Sequence, residues 1–104
     1  MSDAFYSTGS WQPYSGQEDA FLAAWSAFAG WAAMLPGAAG EAVMARDLRA
    51  PDRFVSFMAW ESLDAIQGWK AHPEFKPRMA QVQEHVDVFA PTETEVVARA
   101  RPAS

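Results

Sequence analysis

The sequence predicts an α+β fold, a four-stranded antiparallel sheet with its helices on one face, and three features carry that prediction. Within residues 53–69 the hydrophobic period lengthens from two to three or four, so a strand runs directly into a helix. The elements follow one another as β-α-β-β-α-α-β, the split β-α-β arrangement called ferredoxin-like. The strand Arg53 to Trp60 is apolar on both faces and needs cover on each side, yet 104 residues can supply helices to only one.

Residues 4–12 read as the first strand, with Phe5, Ser7, Gly9 and Trp11 on one face and Tyr6, Thr8 and Ser10 on the other. Gly9 inside this strand marks a bulge or a close approach to the backbone, and Pro13 ends it. Ser15 and Glu18 fit a capping box that opens a helix. Phe21, Trp25, Phe28, Ala32 and Leu35 recur every three or four residues and draw its apolar stripe, which Pro36-Gly37 ends. Trp31 lies beside that stripe.

Residues 41–48 form a second strand, joined to the third by the Pro-containing turn 49–52 as a β-hairpin. Ala42, Met44, Arg46 and Leu48 share one of its faces, so Arg46 is a cation among apolar neighbours and needs a partner or a ligand if buried. On the third strand Phe54, Ser56, Met58 and Trp60 point one way, and Val55, Phe57 and Ala59 the other. Ser62 caps the next helix, which carries Leu63, Ile66 and Trp69.

His72-Pro73 interrupts the helical period. It resumes through Phe75, Met79, Val82, Val86 and Phe89, and Pro91 is expected to stop it. Thr92 to Ala100 then reads as an exposed edge strand, and 101–104 as a loose tail. The whole chain, 1–104, is one expected domain with its core in 4–100. The apolar outer face of Val55, Phe57 and Ala59 calls for a second copy of the same sheet, hence a homodimer packed face to face.

Composition narrows the function. A net charge of −5, with eight basic residues that form no block, argues against nucleic-acid or membrane-surface binding. No apolar run is long enough to cross a bilayer and the first residues do not look like a secretory signal, so a cytoplasmic location is expected. The chain has no Cys, which excludes disulfides, thiolate nucleophiles and Cys-ligated metals. Neither His72 nor His85 has a sequence neighbour that makes a metal site or a triad, so no metal is expected.

Residues 4–100 resemble the antibiotic biosynthesis monooxygenase family of the dimeric α/β-barrel proteins. The resemblance rests on Pro36-Gly37, the hairpin from Arg46-Asp47-Leu48 to Pro51, and above all Phe57-Met-Ala-Trp-Glu-Ser62 followed by Trp69 and Pro73-Glu-Phe75. It implies a homodimer whose subunits each hold a small aromatic molecule between sheet and helices. The family includes cofactor-free oxygenases, haem-degrading enzymes and isomerases. The pocket Trp of its oxygenases of polycyclic phenols is matched by Trp60, but the Asn four residues earlier is Ser56 here, the Tyr six residues later is Ile66, and the second-strand His falls on Arg46. In the haem-degrading members, Trp69 matches the helical Trp, but Met79 stands where the iron-ligating His should be, and the first-strand Asn falls near Gly9. Haem degradation is therefore not expected, and no cofactor is.

The function expected is that of a cofactor-independent monooxygenase acting on an aromatic, polyketide-like or quinol substrate. Arg46 would stabilise the substrate anion and His85 serve as a base at the pocket rim, as the catalytic pair. Ser56, Trp60, Trp69, Met79 and Trp25 would form the binding surface. Each has a plainer reading: Trp60, Trp69, Trp25 and Met79 as core, Arg46 in a salt bridge, and His85 as a solvated surface residue. Two other functions stay open: a non-catalytic dimeric ligand-binding or stress protein, and a polyketide cyclase or isomerase on the same fold.

Overall fold

A computed structural model describes residues 5–103. Ala4, where the first strand was expected to begin, and Ser104 of the expected tail lie outside the described residues. The elements are β1 (Phe5–Pro13), α1 (Glu18–Ala32), β2 (Ala38–Arg46), β3 (Phe54–Trp60), α2 (Leu63–Ala71), α3 (Phe75–Gln83) and β4 (Val86–Glu95). The strands form one antiparallel sheet in the order β2-β3-β1-β4, the ferredoxin-like arrangement expected.

Alternation along β3 separates the two faces. Phe54, Ser56, Met58 and Trp60 are buried toward the helices, whereas Phe57 on the other face is 42% exposed. The β1–β3 register sets Gly9 opposite Ser56 and Trp11 opposite Phe54, so β1 continues the same inner face. Against it packs the predicted stripe of α1, with Phe21, Trp25, Phe28 and Ala32 all buried. Leu35 lies beyond the helix but still packs on this core.

The capping box does not form. The α1 N-cap is Gln17, which makes no side-chain cap hydrogen bond. Glu18 turns instead to Arg46, and Gln17 to His85. The turn before α1 passes through Gly16 at φ +83° and is held by Gln17 N–H donating to the Tyr14 carbonyl at 3.0 Å. On α2 the expected cap is present, with Ser62 Oγ accepting from Ala65 N–H at 3.0 Å.

The end of the chain departs from expectation. Val86 and Phe89, whose spacing continues the last helical stripe, belong to β4, and α3 stops at Gln83. The cause is a register shift at Gln12/Pro13, where β1 passes from pairing with Val88 to pairing with Val86. Skipping Asp87 reverses the alternation, so Val86 and Phe89, three residues apart, both pack on the core. That spacing imitates a helix in the sequence. Pro91, expected as a helix terminator, sits inside β4 opposite Gly9, where an edge strand tolerates its missing N–H. Of the expected strand at 92–100 only 92–95 are in β4, which ends at Glu95.

Candidate substrate cavity

The inner face is large at its ends and small in its middle. Trp11 and Phe54 fill one end and Trp60 the other, while Ser7, Gly9 and Ser56 lie between them. The helices bridge this gap without filling it. A cavity of about 190 Å³ results, floored by Ser7, Gly9, Ser56 and Met58. Trp25, Phe28, Trp69, Phe75 and Met79 wall it on the helix side, Phe89 and Pro91 close it along β4, and Lys70 and Gln83 also line it.

Two indole–serine hydrogen bonds hold the floor. Trp11 Nε1 donates to Ser56 Oγ at 2.9 Å, and Trp60 Nε1 donates to Ser7 Oγ at 3.2 Å. Both are buried, so each satisfies a donor that would otherwise be costly. Gly9 makes the first possible, because a Cβ there would lie 2.7 Å from Trp11 Nε1 and 3.0 Å from Ser56 Oγ. The close approach to the backbone expected at Gly9 is the Trp11 ring, which also stacks on Phe89 at 4.0 Å between centroids.

Ser56, Trp69, Met79 and Trp25 of the predicted binding set come together around this cavity. Trp60 does not line it. It is wholly buried behind Trp69, with which it stacks at 4.9 Å, so it supports the wall from outside. Trp69 is fixed on two further sides by Phe28 and Phe75. Its Nε1–H is buried and has no hydrogen-bond partner among the described residues. The Ser7 and Ser56 hydroxyls accept from tryptophans, and neither donates its own hydrogen to an acceptor among the described residues. Each hydroxyl thus keeps a hydrogen to donate and one lone pair to accept, which suits a ligand carrying oxygen.

The predicted catalytic pair lies elsewhere. Arg46 is on the expected inner face, but at the sheet's corner, where its guanidinium covers the Phe54 ring at 4.8 Å. It donates to both Glu18 carboxylate oxygens, at 3.1 and 2.6 Å, and to the Pro51 carbonyl at 2.7 Å. The hydrogen bond from Arg46 holds the Glu18 carboxyl below its ordinary pKa and in return raises that of Arg46. His85 Nδ1 lies 2.8 Å from Gln17 Oε1 in the turn between α3 and β4. Neither residue lines the cavity. The salt-bridge reading of Arg46 is the one the structure adopts, because Glu18 begins the helix that crosses above β2.

Ser7, Trp11 and Lys70 also line the cavity, beyond the residues expected there. Ser7 and Trp11 were legible, since strand alternation puts both on the face of Gly9. Lys70 carried no signal: it follows Trp69 at the end of α2 and reaches Glu93 on β4, with Nζ 2.7 Å from Oε2. A second hollow, of about 230 Å³, lies behind Trp69 between Leu35, Pro36, Ala65, Gly68 and His72. Its His72 is already engaged, with Nδ1 accepting from Glu74 N–H at 3.0 Å and the ring set edge-on to Trp31. Among the described residues no cluster of His, Asp or Glu could hold a metal ion, and no helix is long and apolar enough to cross a membrane.

Comparison with known proteins agrees with this architecture. SnoaB, a cofactor-independent oxygenase from Streptomyces nogalater, is similar with a TM-score of 0.81 and 17% identity, over 96% of this chain and 97% of that one. Rv0793 from Mycobacterium tuberculosis is similar with a TM-score of 0.77 and 17% identity, over 93% and 98% of the two chains. A conserved protein from Methanosarcina mazei has a TM-score of 0.79 at 12% identity, over 90% and 93%. At these identities the likeness is one of fold. No curated protein matches the sequence. The family model for antibiotic biosynthesis monooxygenase matches residues 4–81, three quarters of the chain, and the chain belongs to that family.

Proposed function

We propose that this protein is a homodimeric, cytoplasmic monooxygenase that encloses a small aromatic quinol or related phenol and oxygenates it without a resident cofactor. The observation that carries the reading is the cavity itself, an apolar chamber with aromatic and thioether walls and a few hydrogen-bond donors. An apolar cavity of roughly 150 Å³ is enough for benzene, so about 190 Å³ suits a molecule of one or two rings better than a large polyketide. Trp69, Trp25 and Phe28 offer ring faces, Met79 offers a polarisable contact, and the hydroxyls of Ser7 and Ser56 meet the substrate's oxygens.

Apolar walls of this kind reduce the water around a bound ring, and an electron-rich anion held against them reacts with oxygen directly. Arg46 and His85 have no part in this, since both are engaged outside the chamber. The outer sheet face supports the dimer, because Phe57, Val43 and Val88 are 42%, 41% and 52% exposed. The cytoplasmic placement rests on the acidic, Cys-free composition.

The test is oxygen consumption by the purified protein with mono- and bicyclic quinols, read together with quenching of tryptophan fluorescence. Uptake above the buffer rate for a quinol that also quenches is the expected result. Quenching with no uptake would instead support the second reading, a ligand-binding protein without catalysis. One observation favours that alternative: among the described residues no carboxylate or imidazole lines the cavity to act as a general base.

A further inference from the structure

We infer that Lys70 sets the charge state of the cavity's ligand, holding an acidic phenol or enol as its anion. This rests on the reading of the cavity as a site for a small aromatic molecule. Among the described residues Lys70 is the one charged side chain that lines the chamber. It follows Trp69, so the cation and one indole of the wall come from adjacent positions at the end of α2. Its side chain lines the chamber and is 33% exposed, with Nζ held 2.7 Å from Glu93 Oε2 at the edge.

The other groups around it point to the same preference. From β4, Glu93 faces Lys70 at 2.7 Å. From β1, β3, α1 and α3 the lining residues are Ser, Thr, Gly, Trp, Phe, Met and Gln, none of them titratable. At the cavity floor the Ser7 and Ser56 hydroxyls, already accepting from Trp60 and Trp11, each keep a hydrogen to donate to a ligand oxygen. A phenolate needs only donors and a cation. Burial among apolar walls raises the pKa of a phenol, and a lysine a few ångströms away opposes that rise more strongly than it would in water.

On binding, the phenol O–H breaks, its electron pair stays on oxygen and its proton leaves to solvent water. The Lys70 side chain lies between Glu93 and the oxyanion and offers its N–H donors to both. This explains how a chamber lined, among the described residues, by no carboxylate or imidazole can hold an oxygen-reactive anion.

The experiment is a spectrophotometric pH titration of para-nitrophenol bound to the wild type, Lys70→Met, Lys70→Arg and Glu93→Gln. The bound phenolate is read by its visible absorbance, and binding by tryptophan quenching. In K70M the pKa of the bound phenol is expected to stand about one unit or more above that in the wild type. K70R should restore the wild-type value. E93Q should lower it further, since the carboxylate that competes for Lys70 is gone. A Lys70 that merely ties α2 to β4 would, when replaced by Met, weaken binding and leave the bound pKa unchanged, and that result overturns the inference. Equal values in all four proteins overturn it too. If the wild type shows no quenching by the phenol at any pH, the aromatic-ligand reading of the cavity falls, and this inference with it.

Discussion

Trp60 and Trp69 stack with ring centroids 4.9 Å apart and planes inclined by 29°, yet only Trp69 faces the cavity. The two rings divide the work, one anchoring the wall in the core and the other presenting it to a ligand. Trp60 holds its place through Nε1 donating to Ser7 Oγ across two strands. Replacing Ser7 with Ala should strand that donor in a buried site and cost about 1–3 kcal/mol in denaturant unfolding, whereas Trp60→Ala, which also opens a void, should cost about 3–5 kcal/mol.

Gly9→Ala tests the cavity floor. The added Cβ meets Trp11 Nε1, Ser56 Oγ and Phe89 at 2.7, 3.0 and 3.1 Å, so the Trp11 ring must move off Ser56. Overpacking of this kind costs about 1–3 kcal/mol, and the displaced ring intrudes on the chamber. Lower stability together with lost quenching by small phenols is expected. Unchanged ligand affinity would show that Trp11 does not shape the site.

Gly37→Ala should be among the more damaging glycine substitutions. Gly37 sits at φ +92°, and a Cβ there would lie 2.5 Å from Ala65 Cβ. The left-handed conformation alone costs roughly 1–2 kcal/mol for a residue with a side chain. The double variant G37A/A65G removes the collision and leaves the backbone strain, so thermal unfolding should show recovery of part of the loss.

The acid limb of the stability curve should depend on Glu18 and Asp47. Asp47 is held below its ordinary pKa by the Arg49 and Ala50 N–H groups and by Arg53, and Glu18 by Arg46. A carboxyl whose pKa is lower folded than unfolded contributes fully above its unfolded value and loses that contribution as pH falls through the folded one. Asp47→Asn and Glu18→Gln should therefore lower the melting temperature at neutral pH, and the difference from wild type should shrink below about pH 4. A gap that stays constant down to strong acid would show that charge is not its source.

Val43 and Phe57 are opposite each other in the β2–β3 register, and both are exposed on the outer sheet face. Phe57→Glu places a charge in the middle of that patch. Light scattering should give twice the chain mass for the wild type and a shift toward the single chain for F57E. A single-chain mass for the wild type would remove the dimer.

Much of the site can be traced to local rules. Strand alternation put Ser56 on the helix side, and the same rule reaches Ser7 and Trp11. Helical spacing brought Trp25, Trp69 and Met79 inward. Arg46 shows where such rules end. Its face was read correctly, but whether a side chain at that position meets a ligand or a carboxylate depends on where Glu18 of a separate helix comes to rest. The capping box of Ser15 and Glu18 failed for the same reason, since Glu18, whose carboxylate it needed, found a partner distant in sequence in Arg46, and the helix starts after Gln17 instead.

By itself the sequence determined the order of the elements, the inward faces of β1 and β3, the α1 stripe and the Ser62 cap, because each depends on residues within a few positions of one another. Tertiary structure alone decided that Val86 and Phe89 belong to a strand, because a register shift against Gln12 and Pro13 reverses their alternation. It also decided that Lys70 lines the chamber while Arg46 does not, and that Trp60 stands behind Trp69. Those outcomes depend on how sheet and helices meet, and hydrophobic period within one element carries no information about its neighbour.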